Sequence, residues 1–250
     1  LLKINVRRDR MVGAIVIIPT YNEIENIEEI VKAVFSQSKD INVLVVDDNS
    51  PDKTGLKVKE LQKEFPKRLF LEVRQEKSGL GTAYIHGFKW CLDRNYEYIF
   101  EMDADFSHDP NDLQKLYDAC AKDGADLSIG SRYITGVNVV NWPMGRVLMS
   151  YFASKYVRFI TGMNINDTTA GYVCYKQEVL RAINLDAIKF VGYAFQIEMK
   201  FKAYLKKFKI TEVPVIFTDR TKGESKLSKG IISEAIFGVI SMKLKSIFRK

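Results

Sequence analysis

The sequence predicts an α/β fold in which a mostly parallel central sheet carries helices on both faces and an amphipathic helix closes the chain. Three observations lead there. Short β-branched runs alternate with stretches of helical period over residues 13–130, as right-handed βαβ crossovers require. The runs over residues 14–18 and 43–46 are apolar throughout, as strands buried on both faces are. Three runs in the series end in polar or acidic clusters: Thr20-Tyr21-Asn22-Glu23, Asp47-Asp48 and Asp103-Ala104-Asp105. In an open α/β sheet the carboxyl edge of the strands is where ligands bind.

Residues 13–18 form the first strand, closed by Pro19. Asn22, with Glu25 three residues on, predicts a capped helix start, and Ile24, Ile27, Ile30, Val31 and Val34 recur at helical spacing. Residues 42–46 form the second strand. Ser50-Pro51-Asp52 then repeats a start signal, with a helix to about Phe65. Residues 69–73 are a third strand. Ser78-Gly-Leu-Gly-Thr82 turns into a helix holding Ala83, Phe88, Trp90 and Leu92. Residues 96–102 are the fourth strand. Asp109 caps a helix running to Lys122 with Pro110 at its first position, and residues 126–130 are the fifth strand, closing in Ser131-Arg132.

Beyond Arg132 the pattern loosens. Asn141-Trp-Pro143 opens a long helix to about Gly162. Residues 166–175 contain Asp167-Thr-Thr-Ala-Gly171 and then an aromatic strand. Residues 195–206 are helical, and residues 210–217 form a strand whose Pro214 suits a sheet edge. Residues 229–250 carry an apolar stripe from Ile231 to Phe248 with a basic end. Such a helix either lies in a membrane interface or packs on its own domain.

The chain has 250 residues, 46% hydrophobic and 28% charged, without repeats or low-complexity tracts. One domain over 11–228 with an appended element at 229–250 accommodates this. A net charge of +7 suits anionic partners: nucleotides, phospholipid head groups or nucleic acid. Cys91, Cys120 and Cys174 are widely spaced and fit neither a disulfide framework nor a zinc site. The basic N-terminus precedes too short an apolar run for a signal segment, and Met11 is compatible with a natural start. No stretch reaches the roughly 18 apolar residues of a membrane span.

Asp103-x-Asp105 alone is compatible with several chemistries. The calcium-loop pattern fails for want of the glycine and distal glutamate. An aspartyl nucleophile usually follows an early strand, whereas this motif follows the fourth. A divalent cation carrying phosphate oxygens would compensate two carboxylates at a strand end. Ser78-Gly-Leu-Gly81 lacks the third glycine of a dinucleotide fingerprint. The Asn166-Asp-Thr168 glycosylation match is discounted, His86 reads as structural, and Arg132, Arg146, Arg220 and Lys226 are either solvated or phosphate clamps.

Taken together, Pro19-Thr-Tyr-Asn-Glu23, Asp47-Asp-Asn-Ser-Pro-Asp52, Gly79-Leu-Gly-Thr-Ala-Tyr-Ile-His-Gly87, Met102-Asp-Ala-Asp-Phe-Ser-His108, Gly130-Ser-Arg-Tyr133, Phe195-Gln-Ile-Glu-Met199 and Asp219-Arg-Thr-Lys-Gly-Glu-Ser-Lys-Leu227 resemble the dolichol-phosphate mannosyltransferases. These belong to the inverting glycosyltransferase family 2 and have a GT-A fold. The resemblance implies GDP-mannose as donor, polyprenyl or dolichyl phosphate as acceptor and Mg2+ or Mn2+ as cofactor. UDP-glucose or another nucleotide sugar is the alternative donor. It further implies that Pro19, Tyr21, Glu23, Val46 and Asp48 contact the guanine nucleotide. Asp103, Ala104 and Asp105 would meet the diphosphate, with Asp103, Asp105 and Ser107 around the metal. Arg132 and Arg146 would contact the phosphates at the reacting centre, with Asp105 completing the catalytic set. Arg220 and Lys226 would close over the nucleotide. A polyprenyl acceptor implies peripheral attachment at the cytoplasmic face of a membrane, favours an interfacial role for residues 229–250, and leaves open a separate membrane-anchoring subunit. No nucleic acid is expected, because acids at the phosphate site repel it.

Overall fold

The computed structural model describes residues 10–192, 194–219 and 229–248. A seven-stranded sheet forms the centre. Its strands are β1 (Ala14–Thr20), β2 (Asn42–Asp47), β3 (Leu69–Val73), β4 (Tyr98–Glu101), β5 (Leu127–Ser131), β7 (Val173–Lys176) and β8 (Ile210–Pro214), ordered β3-β2-β1-β4-β7-β5-β8. All neighbours pair in parallel except β7, which runs antiparallel to both β4 and β5. The expected mostly parallel sheet is present, and β8 with its Pro214 lies at an edge. Two short strands, β6 (Val139–Val140) and β9 (Phe217–Thr218), pair separately.

Alternation along β1 divides the core. Ile15 and Ile17 join Leu44, Val46, Phe88, Tyr175 and Phe195 on one face. Val16 and Ile18 join Val43, Val45, Ile30, Val34 and Leu116 on the other. The helices are α1 (Ile27–Phe35), α2 (Thr54–Leu61), α3 (Leu80–Asp93), α4 (Leu113–Ala121), α5 (Met144–Thr161), α6 (Gln177–Ala182), α7 (Ala194–Leu205) and α8 (Lys229–Phe248). The three cysteines are free and buried.

Two predicted helix starts shift, for one reason. Asn22 sits at φ 59° rather than capping a helix. The backbone N–H groups of Asn22, Glu23 and Ile24 donate instead to Ser50 Oγ, Thr54 Oγ1 and Asp52 Oδ2. Side chains after β2 thus satisfy the donors that a capping box would have used, and α1 begins only at Ile27. Asp52 also accepts from the N–H and hydroxyl of Thr54 at 2.9 and 2.6 Å, so α2 starts at Thr54. It ends at Leu61, short of Phe65. The Asp109 start matches expectation: its Oδ1 accepts from Asn111 N–H, with Pro110 following.

The glycine-rich turn into α3 is a packing device. Gly79 has φ 103°, and a Cβ at Gly81 would lie 2.8 Å from the Phe195 ring and 2.9 Å from the Phe190 carbonyl oxygen. α8 packs on α5 and α7. Val239 is fully buried, a Cβ on Gly238 would meet the Phe190 ring at 2.6 Å, and Lys243 Nζ donates to Thr161 O. Packing on the domain therefore occurs, but it uses one side of the helix. Among the described residues no helix is long and apolar enough to cross a membrane.

Candidate active site

Strand register brings the early motifs together. Pro19 lies opposite Val46 and Thr20 opposite Asp47. The Asp48 N–H donates to Thr20 O, which fixes Asp48 beside Tyr21. The two adjacent acids divide their tasks. Asp47 accepts from Thr20 Oγ1, Ser50 Oγ and Ser50 N–H, and so ties the turn. Asp48 receives a bidentate pair from Arg74 at 2.6 and 2.8 Å. The Lys77 ammonium lies 4.4 Å from the centre of the Tyr21 ring, and Glu23 accepts from Asn26 Nδ2.

β4 adjoins β1, and Met102 N–H donates to Ile17 O, which carries Asp103-Ala-Asp105 to the same edge. Phe106 adopts φ 61°, a conformation rare outside glycine, in the turn between Asp105 and Ser107. Asp105 Oδ1 accepts from Ser107 N–H at 3.1 Å. Asp105, Ser107 and Ala104 are all buried. The Ser107 hydroxyl has no hydrogen-bond partner among the described residues. A buried orphan oxygen beside two carboxylates fits a hard divalent cation, which takes oxygen ligands and completes its shell with water and substrate phosphate. No group of three or more His, Cys, Asp or Glu suited to a metal occurs among the described residues. A cation here would therefore depend on Asp103, Asp105, Ser107 and ligand oxygens.

Two residues that sequence reading passed over hold this loop. His108 Nδ1 accepts from Asp103 N–H at 3.1 Å, and its ring stacks on Tyr172 with centroids 4.8 Å apart. Burial lowers its pKa to about 4, so the ring is neutral near pH 7 and can accept. Glu101 is fully buried at the end of β4 and accepts from Gln196 Nε2 at 2.7 Å. The Gln196 oxygen accepts from Lys200, which also donates to Ala170 O at 2.6 Å. Burial pushes the Glu101 carboxyl up and the Lys200 ammonium down.

The antiparallel sense of β7 has a positional effect. Its leading end, not its trailing end, reaches the carboxyl edge, and it brings the 167–171 loop there. Asp167 is fully buried and accepts from Arg132 Nε and Nη2 at 2.7 and 2.6 Å and from Arg132 N–H at 3.0 Å. Thr169 Oγ1 accepts a further bond from Arg132. Glu212 on β8 accepts from the N–H groups of Asn166 and Asp167 and from Ser131 Oγ. Arg132 is thus a compensated internal charge rather than a solvated one. Arg146 is more accessible: it pairs with Asp219 at 2.7 Å and lies 4.0 Å from the Trp142 ring centre. Arg132 lies 5.4 Å from the same indole, so the two predicted arginines do converge. Arg220 and Lys226 fall outside the described residues. His86 pairs with Glu72 at 3.0 Å on the half-exposed face of α3, as a structural histidine would.

Asp167 stood within a quoted motif and could have been found as a buried acid after a strandless stretch. Arg74 follows β3 at the same edge, and that placement was its only signal.

Residues 15–183 match the glycosyl transferase family 2 domain. The chain is 48% identical over 225 residues to polyprenol monophosphomannose synthase of Mycolicibacterium smegmatis, covering 90% of this chain and 84% of that protein. It is 46% identical to undecaprenyl-phosphate mannosyltransferase of Micrococcus luteus, covering 89% and 90%. It is 38% identical to dolichol-phosphate mannosyltransferase of Pyrococcus furiosus, covering 88% of this chain and 60% of that protein. Among solved structures, glucosyl-3-phosphoglycerate synthase of Mycobacterium tuberculosis superposes with a TM-score of 0.66 at 14% identity, covering 93% and 79%. A mannosyltransferase of Pyrobaculum calidifontis, in complex with GDP-Man and Mn2+, gives 0.58 at 19% identity, covering 95% and 64%. The architecture is that of GT-A enzymes, and the chain belongs to glycosyl transferase family 2.

Proposed function

We propose that the chain transfers mannose from GDP-mannose to a polyprenyl phosphate with inversion, giving a β-linked lipid product and GDP. The observation that carries this reading is the 48% identity, over 90% of the chain, to a protein named polyprenol monophosphomannose synthase. The site supports it. Pro19, Tyr21, Glu23, Val46 and Asp48 form the base end, and Asp103, Ala104, Asp105 and Ser107 the diphosphate end. Asp103, Asp105 and Ser107 would hold Mg2+ or Mn2+, which when bound neutralises charge developing on the departing diphosphate.

Arg132, held rigid by Asp167, orders the reacting centre as one half of a neutral ion pair rather than as a free charge. Arg146 can exchange its partly exposed Asp219 for an incoming phosphate. The acceptor phosphate has a second pKa of about 6, so it arrives anionic and needs no strong general base. His108 is unsuited to that role, being buried, made only weakly basic by that burial, and engaged through Nδ1 with Asp103 N–H. Arg220 and Lys226 complete the nucleotide end in this reading.

A membrane-facing side accompanies the site. α5 exposes Met144, Leu148, Met149, Phe152 and Phe159, the last at 87%, and α8 exposes Phe237, Ile240, Leu244 and Ile247. The two helices pack on each other, so these side chains form neighbouring apolar stripes on a basic protein. We assign them to a bilayer interface, where the acceptor lipid resides. Phe152→Ser/Phe159→Ser/Phe237→Ser should lower flotation with anionic liposomes ~10-fold or more, since each buried Phe contributes ~1.5–3 kcal/mol. Unchanged flotation refutes the assignment.

The reaction is tested with radiolabelled GDP-mannose and UDP-glucose, each offered with polyprenyl phosphate and Mg2+ or Mn2+. Lipid-extractable mannose from GDP-mannose, abolished by chelator, is expected. Product from UDP-glucose alone overturns the donor, and no lipid product from either overturns the acceptor.

A further inference from the structure

Lys200 lies on α7 with no exposed surface, and Gln196 lies one helical turn before it. The ammonium uses all three donors inside the protein: on Ala170 O at 2.6 Å, and on Gln196 O and Gln196 Oε1 at 3.2 Å each. The nitrogen of the Gln196 amide donates to Glu101 Oε2 at 2.7 Å. Glu101 ends β4, two residues before Asp103. A single neutral amide therefore bridges a buried acid at the diphosphate end to a buried base on the 167–171 loop.

That loop is gripped from both sides. Among the described residues Lys200 and Arg132 are the only buried lysine or arginine side chains. Both bond to the loop, Arg132 through Asp167 and Thr169, and Lys200 through Ala170. A Cβ on Gly171 would lie 3.6 Å from His108 Cε1 and 3.8 Å from Gln196 Nε2. The loop thus rests against the ring that accepts from Asp103 N–H as well as against the bridging amide.

Folding alone does not call for this bridge. The second oxygen of Glu101 is buried without a hydrogen-bond partner among the described residues. A buried acid and base so incompletely satisfied are no more stable than well-packed apolar side chains of similar volume. What the bridge supplies is a fixed spacing between the end of β4 and the loop.

The geometry points to Lys200 as a positioning residue that, through Gln196 and Glu101, sets the 167–171 loop, and with it Arg132, in place relative to the diphosphate end. This rests on the mannosyl-transfer reading above. Lys200 touches no reactant; it acts through the loop. Its loss therefore falls on the alignment of acceptor with donor, which governs kcat, and not on the grip on the nucleotide, which uses the ends of β1, β2 and β4.

The experiment compares Lys200→Met with Glu101→Gln/Lys200→Met in the full chain. Methionine nearly matches lysine in length but offers no donor. The single variant leaves Glu101 uncompensated in the core, so its melting temperature should fall. The double variant removes both charges and should regain much of that loss, while Ala170 O still lacks its donor. Each protein is measured for melting temperature, for GDP binding with Mg2+ by calorimetry, and for kcat of mannosyl transfer to polyprenyl phosphate. The double variant should bind GDP within ~3-fold of the unaltered protein and show a kcat at least ~10-fold lower. A purely structural or charge-balancing role requires kcat to recover along with the melting temperature, and that result overturns the inference. A loss of GDP affinity as large as the loss of kcat also overturns it, because the bridge would then serve the diphosphate end alone. If the double variant does not fold, Gln196→Met decides, since it cuts the bridge and keeps both charges. A kcat lowered ~3-fold or more with GDP affinity retained then supports the inference, and an unaltered kcat overturns it. No transfer by the unaltered protein overturns the mannosyl-transfer reading itself, a separate outcome.

Discussion

Asp105→Ala should reduce transfer by ~10^3-fold or more, the scale of losing a principal stabiliser of leaving-group charge, with the fold intact. Asp105 is held in a turn by its bond from Ser107 N–H, and it lies two residues beyond Asp103. Two carboxylates so close repel one another unless a cation lies between them. Removing one therefore costs little stability without metal and can even raise it. The melting temperature should stay within about 3 °C of the unaltered protein. The second half of the result concerns metal: Mg2+ and GDP together should raise the melting temperature of the unaltered protein and not that of the variant. Activity retained within tenfold, or an unaltered metal-dependent shift, would remove Asp105 from the site.

Asp167→Ala should have the largest effect on stability. The Arg132 guanidinium is nearly buried and receives its compensation from Asp167 through two bonds, with a third from the Arg132 backbone N–H. Taking one partner from a buried pair leaves an uncompensated charge and costs ~3–5 kcal/mol. For a domain of this size that is a fall of roughly 10 °C. The pH dependence separates this pair from ordinary packing. Burial alone would raise the Asp167 pKa, but the Arg132 charge and its hydrogen bonds outweigh burial and hold it below 3.8. A carboxyl lowered in the folded state contributes fully above its unfolded pKa and loses that contribution as pH falls through the folded value. The stability gap between the unaltered protein and Asp167→Ala should be constant from neutral pH down to about pH 4, then narrow. A gap that does not change below pH 4, measured by denaturant unfolding, would show that cavity formation accounts for the loss.

Much of the fold was legible because it rests on local signals. Runs rich in β-branched residues mark β1 and β2, an aromatic and apolar stretch marks β4, and the acids after them mark the ligand edge. The Asp109-Pro110 start and the Gly162 stop of α5 follow from capping chemistry alone. What escaped is set by partners distant in sequence. Asn22 carries a good local start signal, yet Ser50, Asp52 and Thr54 claim that backbone from about thirty residues away. The insertion of β7 between β4 and β5 has no local signature, since an aromatic strand reads the same in either direction. For the same reason the burial of Arg132 was not foreseen: its partner Asp167 lies 35 residues on. Arg74 bonds Asp48 across 26 residues and was invisible until β2 and β3 were paired.

The reversed strand has one more consequence. Among the described strands, β7 is the sole hydrogen-bonded seam between β3-β2-β1-β4 and β5-β8. Pro19 to Glu23, Val46, Asp48 and Asp103 to Ser107 are all encoded before residue 110, whereas the seam is not available until residue 176 has been added. In order of synthesis, the half carrying the aspartates precedes the strand that joins it to Arg132. In the proposed reading the site is a joint between an early half and a late half, and Asp167 and Glu212, which tie Arg132, Ser131 and the 166–167 backbone together, sit at that joint.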